Sequence, residues 1–259
     1  MKKLHLAVAL ATALTMGTAA GAVASTTITV TGDTSAGENE AGWLFQRDLN
    51  NVTDGHFTLD EASIGSGSFY VEPLPGAADP TAKFIAEFFI LEELEADTSY
   101  SFDFLLGDEA ADSSDFYLNV YTNLPGTDVD NFYDCAYDFG GVTGSTSEWS
   151  TISTDTDQLR VRARNEADCP DTFQDMAALD GSTVRAIAIN VGQSTASDEG
   201  TSGYVDNVVV TSAGTTTVYD FEVPLTVKDD CKNGGYANFG FDNQGQCIAS
   251  LQADDNAGK

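Results

Sequence analysis

The chain has 259 residues, in which 41 Asp and Glu stand against 11 Lys and Arg, giving a formal net charge of −30 with two His. That length allows one large domain or two small ones, with a core that can form without disulfides. So few cations exclude nucleic acid as a partner, because they offer little to phosphates, and exclude docking on an anionic membrane for the same reason.

The N-terminus begins with Lys2 and Lys3. An apolar, acid-free run extends from Leu4 to Met16, and Ala22-Val23-Ala24 precedes Ser25. A basic start, a short apolar centre and a small-residue cleavage site read as a secretory signal peptide over residues 1–24. The apolar run is short for a membrane span. No second long apolar stretch appears, so no membrane insertion of the mature chain is expected. The expected location is secreted, extracellular or periplasmic.

Beyond Ser25, period-two alternation dominates the chain. It runs through Thr27–Thr31, Ser68–Glu72, Ser99–Leu105, Phe116–Tyr121, Leu159–Arg164, Val184–Val191, Tyr204–Val210 and Thr217–Phe221. Lys83–Ile90 is more continuously apolar, as a central strand would be. Clusters of Gly, Asp, Ser, Asn and Pro separate these runs. The pattern predicts an all-β, antiparallel β-sandwich of jelly-roll type over residues 25–222. Helical signal is poor. Leu91–Ala96 reads as a turn between strands, at most one helical turn, and Asp175–Leu179 as another short turn. A boundary falls near Val223-Pro224. Residues 223–259 are Gly- and Asn-rich, too small for a large core of their own, and read as a disulfide-closed appendage whose end, from Gln252, frays.

Four cysteines, Cys135, Cys169, Cys231 and Cys247, in an exported chain suggest two disulfides. Three pairings are possible. The local one, Cys135–Cys169 with Cys231–Cys247, is favoured because each loop is short. Without a CxxC or a nearby His, zinc is disfavoured.

Several strings resemble exported bacterial proteins. Gly42–Asp48, Gly65–Ser68, Lys83–Glu87, Phe132–Cys135, Cys169-Pro170, Tyr204–Val208 and Tyr219–Glu222 together resemble a poorly characterised group of exported bacterial β-sandwich proteins. That resemblance implies the fold and no activity. Tyr204-Val205-Asp206-Asn207-Val208 also resembles the closing strands of galactose-binding-like jelly-roll carbohydrate-binding modules, where such an Asp helps hold a structural calcium ion. Lys228–Tyr236 with Asn243–Cys247 resembles a C-terminal cysteine segment common to many bacterial exported proteins; it implies Cys231–Cys247 pairing and no reaction.

Three function classes differ in the chemistry they require. A binding module for carbohydrate or a cell-surface glycan needs rings for sugar faces and amides or acids for hydroxyls. If Phe116, Leu118 and Val120 face the core, Tyr117, Asn119 and Tyr121 share the opposite face and form the candidate platform. Trp149, with polar flanks, is a further candidate. Calcium, which wants six to eight oxygens, is a candidate cofactor. Asp206 with Glu38 and Glu40 (and Asp33) is its expected ligand set, and Asp128–Asn131 a second loop candidate. A structural or adhesive surface protein is the alternative. A glycan-active enzyme comes third: no Glu-x-Asp-x-x-Glu strand and no Gly-x-Ser-x-Gly elbow occurs, and His56 in Asp54-Gly55-His56-Phe57 reads as a turn residue. A secreted, non-catalytic binding module is the expected function.

Overall fold

A computed structural model describes residues 24–31, 41–47, 55–73, 84–107, 113–127, 132–165, 167–192, 201–225, 227–239 and 241–257. The expected signal peptide, Asp33, Glu38, Glu40 and Asp128–Asn131 lie outside the described residues, apart from Ala24.

Thirteen strands are described: β1 Ala24–Val30, β2 Trp43–Arg47, β3 Gly55–Thr58, β4 Ser68–Val71, β5 Phe84–Glu93, β6 Ser99–Leu106, β7 Phe116–Asn123, β8 Cys135–Gly140, β9 Ser150–Ser153, β10 Asp157–Ala163, β11 Thr183–Val191, β12 Gly203–Ser212 and β13 Thr215–Phe221. They form two sheets that pack face to face. A seven-stranded sheet holds β1-β13-β12-β4-β3, with β6 on the other flank of β12 and β9 beyond β6; a six-stranded sheet runs β10-β8-β7-β11-β5-β2. The chain is therefore the expected sandwich.

Alternation in each strand explains the core. Phe102 and Phe104 of β6, Phe116, Leu118 and Val120 of β7, Tyr137 and Phe139 of β8, Ile187 and Ile189 of β11, and Val205 and Val208 of β12 all lie in one buried cluster. Trp43 is fully buried there, stacked 5.1 Å from Phe88 and edge-on at 5.2 Å to Phe221. Burying rings this size supplies roughly 1.5–3 kcal/mol each in lost water contact.

Three details differ from expectation. β1 pairs with β13 in parallel, not antiparallel; this register sets Ile28 beside Tyr219 and Val30 beside Phe221, so both pairs contribute to the core. Leu91–Glu93 extends β5 rather than turning, with Leu91 at φ 59° and a register shift opposite Val184–Ala186. A bulge absorbs the irregular residue and lets pairing resume. The C-terminal segment ends in a helix, α2 Gln244–Ala257, in place of the fraying expected from Gln252. Asn243 caps its start by accepting from the Gln246 N–H at 3.0 Å. The short helix α1, Phe173–Ala177, agrees with the predicted turn and is capped by Thr172, whose side chain accepts from the Asp175 N–H.

Both disulfides form in the favoured pairing, Cys135–Cys169 and Cys231–Cys247, and none of the four cysteines is free.

Candidate functional site

The outer face of the six-stranded sheet is read from its register. One row across the strands is Phe89, Ala186, Tyr121, Ala136, Arg162; the next is Leu44, Glu87, Ala188, Asn119, Asp138, Arg160. Tyr117, Asn119 and Tyr121 therefore share one face, opposite Phe116, Leu118 and Val120. Small residues at Ala136, Ala186 and Ala188 let the neighbouring rings and amides lie close to the sheet, and Phe132 and Tyr133 pack over them.

The three predicted platform residues are not an open surface: Tyr117 is 6%, Asn119 1% and Tyr121 8% exposed. They form a hydrogen-bonded floor. The Tyr121 hydroxyl donates to Asn119 Oδ1 at 3.2 Å, and Asn190 Nδ2 donates to the same oxygen at 3.0 Å. Asn119 Nδ2 donates to Asp138 Oδ1 at 2.6 Å. Asp138 is buried, and its charge is met by two guanidinium groups from the next strand. Arg160 Nε donates to Oδ2, and Arg162 Nη2 donates to Oδ1 at 2.9 Å. A buried carboxylate needs such partners, because desolvation would otherwise cost several kcal/mol. Burial pushes the Tyr121 phenol up to about 12, partly offset by Arg162 beside it, and pushes Tyr117 up further. Both hydroxyls stay protonated, and that of Tyr121 is committed to Asn119.

Above this floor stand the groups that reach solvent. Phe89 is 41% exposed and lies 6.2 Å from Phe132. Tyr133 lies 5.1 Å from Tyr121, with the Arg164 guanidinium 5.5 Å over its ring and that of Arg162 5.9 Å away. These cation–π contacts fix both rings and cations. The face thus presents Phe89, Phe132, Tyr133, Arg160 and Arg164 on a rigid polar base. The platform expected from the sequence did not include these five residues or Asp138. A signal for the cations exists in Arg160-Val161-Arg162-Ala163-Arg164, whose alternation puts three of them on one face; strand assignment alone does not use it.

Trp149 is not brought to this face. It precedes β9, which pairs with β6 in the other sheet, and it is only partly exposed.

Asp206 lies in the seven-stranded sheet, where one flank of β12 changes partners. Gly203–Val205 pairs with β4, and Val208–Ser212 with β13. Asp206 bridges the break. Its Oδ1 accepts from the Phe221 N–H at 3.0 Å, and its Oδ2 from the Ser63 and Ile64 N–H groups at 3.0 and 3.1 Å. Opposite β6 the register shifts between Asp206 and Val209, and Asn207 makes this bulge possible: its φ of 48° suits Asn, and its side chain donates to Asp103 Oδ2 at 2.8 Å. Asp220 and Glu222 lie nearby, beside Gly65 and Ser66. Asp220 Oδ1 is buried and has no hydrogen-bond partner among the described residues. Glu222 accepts from the Ser66 N–H at 2.6 Å and its hydroxyl at 2.9 Å. Gly65, at φ 62°, leaves no room for a side chain: a β-carbon would collide with the Glu222 carboxylate and stand 2.6 Å from Asp220 Oδ2. Burial pushes Asp206 up to about 6; burial, with Glu222 and Asp206 nearby, pushes Asp220 up to about 7. Among the described residues no group of three or more His, Cys, Asp or Glu is arranged to hold a metal.

A cavity of about 580 Å³ opens beside Asp220 and Glu222, lined on its far side by Phe239 and Phe241 of the C-terminal segment. His56 stands exposed on β3, 3.2 Å from Glu72 and edge-on to Tyr70.

No protein-family model matches the chain, and no curated protein does. Solved structures do match. The chain is similar to the family 11 carbohydrate-binding module of the cellulosomal cellulase Lic26A-Cel5E of Clostridium thermocellum, at 13% identity over 66% of this chain and 88% of that one, with a TM-score of 0.41. It is also similar to the CBM22-1 xylan-binding domain of Paenibacillus barcinonensis Xyn10C, at 11% identity over 69% and 90%, with a TM-score of 0.36. A third is the cellulose induced protein Cip1, at 12% identity over 68% and 93%, with a TM-score of 0.35.

Proposed function

We propose that this is a secreted, non-catalytic carbohydrate-binding protein whose site is the outer face of the six-stranded sheet. The observation that carries this is the placement of Phe89, Phe132 and Tyr133 above a floor of interlocked Tyr121, Asn119, Asp138 and Arg162. Rings offer sugar faces an apolar contact, and fixed polar groups orient hydroxyls. The buried carboxylates described on this face are Asp138, Glu87 and Asp134, and their spacing argues against hydrolysis there. Asp134 lies four residues before Asp138, about 13 Å along the strand. Asp138 and Glu87 share a row but are three strand spacings apart, about 14 Å along the sheet, farther than the ~5–9.5 Å at which paired glycosidase carboxylates work.

Titrating the chain with soluble polysaccharides by calorimetry tests the reading. Tyr133→Ala and Phe132→Ala are expected to weaken binding at least tenfold each while leaving the far-ultraviolet circular dichroism unchanged. Unaltered affinity in both variants would move the site elsewhere.

Calcium belongs to the same proposal, as a structural ion. Asp220, with its bare buried oxygen, and Glu222 supply carboxylate oxygens of the kind calcium takes, and Ser66, Thr29 and Thr31 line the same cavity. The ion would neutralise two crowded carboxylates. Asp206 supports it by shaping the loop from Ser63 to Ser66, since its own oxygens are committed to backbone donors. Calcium is expected to raise the melting temperature and EDTA to lower it in the unaltered chain but not in Asp220→Asn; equal responses in both would remove calcium from this place.

A further inference from the structure

We infer that the saccharide taken by this face is anionic, a uronate or sulfated glycan whose acid groups are met by the arginines of β10; this rests on the carbohydrate-binding reading above. The chain carries only 11 Lys and Arg, yet three of them, Arg160, Arg162 and Arg164, alternate along one edge strand and its end. Alternation in an extended chain puts all three on the outer face, about 6–7 Å apart in succession.

The local charge is positive although the molecule is strongly negative. Arg160 and Arg162 share one buried carboxylate, Asp138. Two cations on one anion leave a positive charge in excess. Arg164 adds another: among the described residues it has no carboxylate partner and stands exposed over the Tyr133 ring. Arg160 also reaches outward, with 61% of its side chain exposed. Of the other buried carboxylates described on this face, Glu87 lies toward the opposite edge, across β7 and β11. Asp134, just before β8 and opposite Arg164, accepts from the Leu124 N–H and the Thr127 hydroxyl and offsets one of these charges, so three arginines face two carboxylates at this edge. The face therefore carries an excess of cations beside Tyr133.

An edge strand is commonly guarded from self-pairing by charge. In a chain with 41 acidic residues, carboxylates would serve that purpose without a local reversal of sign. Guanidinium groups differ in binding carboxylates and sulfates through paired N–H donors. Phe132, partly exposed between Phe89 and Tyr133, leaves ring surface for the sugar beside these cations.

The long-range field opposes such a ligand, since the net charge is −30. The contact pairs are local, so the test belongs in about 0.5 M salt, where screening acts over roughly 4 Å. The experiment is calorimetric titration of the full chain with alginate, polygalacturonate and a sulfated galactan, against neutral β-glucan, xylan and galactomannan. Binding of at least one acidic polymer is expected, with about tenfold loss in Arg164→Gln and in Arg160→Gln, and partial rescue by Arg164→Lys. Uronates and sulfates in separate arms tell which anion is preferred. Binding confined to neutral polymers overturns the inference and leaves the carbohydrate reading standing. Acidic-polymer binding that both glutamine variants retain at full strength also overturns it. No binding to any of the six overturns the carbohydrate reading and the inference with it. Unchanged melting of Arg164→Gln, which holds no buried partner, separates lost binding from lost fold.

Discussion

Asp206 shows how one side chain can hold a sheet together. A strand that changes neighbours midway leaves backbone donors facing a gap, and buried donors without partners cost roughly 1–3 kcal/mol each. Asp206 satisfies three of them with two oxygens. Asp206→Ala is expected to destabilise the chain by at least about 3 kcal/mol in urea denaturation. Asp206→Asn, which keeps one acceptor, should cost about half as much; a loss below about 1 kcal/mol for alanine would show that water replaces the carboxylate. The residue stood out in the sequence only through a resemblance that linked it to calcium. Its backbone partners come from loop residues 143 and 142 positions away and from Phe221, which no local pattern could disclose. Asn119 is the complementary case. Its face followed from alternation within one strand, whereas its partners Asp138 and Asn190 come from the two neighbouring strands.

Element by element, the two disulfides act on different parts. Cys135 and Cys169 are separated by 34 residues and tie the start of β8 to the segment before α1; Cys231 and Cys247 are separated by 16 and tie a 3₁₀ segment, Lys232–Phe239, to α2. Loop-closure entropy puts them at about 4 and about 3 kcal/mol respectively. Cys135→Ser with Cys169→Ser should lower the global unfolding midpoint. Cys231→Ser with Cys247→Ser should leave that midpoint nearly in place while exposing residues 223–259 to limited proteolysis. If the tail pair lowers global stability as much as the sandwich pair, the C-terminal segment belongs to the same cooperative unit as the sheets. The aromatic core was legible because hydrophobic alternation marks each strand alone. The bulge at Leu91 was not, since Leu91–Ala96 contains good helix formers and only pairing with β11 overrides that preference.

The whole molecule carries an excess of negative charge, and two acids are also held where their charged forms are disfavoured. Asp206 and Asp220 are raised from 3.8 to about 6 and about 7. Between those values the folded chain keeps protons that the unfolded chain has released. Their contribution to stability is therefore full below about pH 4 and falls as pH rises through about 6 to 7. In EDTA, the urea midpoint of the unaltered chain is expected to be higher at about pH 5 than at about pH 7.5. Relief of general self-repulsion acts in the same direction, so the comparison is with Asp220→Asn, which should be more stable at the higher pH and show a shallower pH dependence. Parallel pH profiles for the two proteins would rule out Asp220 as a source of the effect. Calcium at the higher pH should act as the proton does at the lower, by linkage to the folded state.

From the sequence alone came the all-β sandwich, the two faces of β7, a preference for the local disulfide pairing and the strong negative charge. Each of these depends on short-range alternation, on spacing or on composition. The tertiary structure decided which strands are neighbours, and with that the placement of Arg160, Arg162 and Arg164 around Asp138, the burial of the Tyr117–Asn119–Tyr121 floor, and the meeting of Asp206, Asp220 and Glu222 beside Gly65. Those arrangements depend on strand order and register between segments far apart in the chain, and one residue of register shift would have turned every one of these side chains to the opposite face.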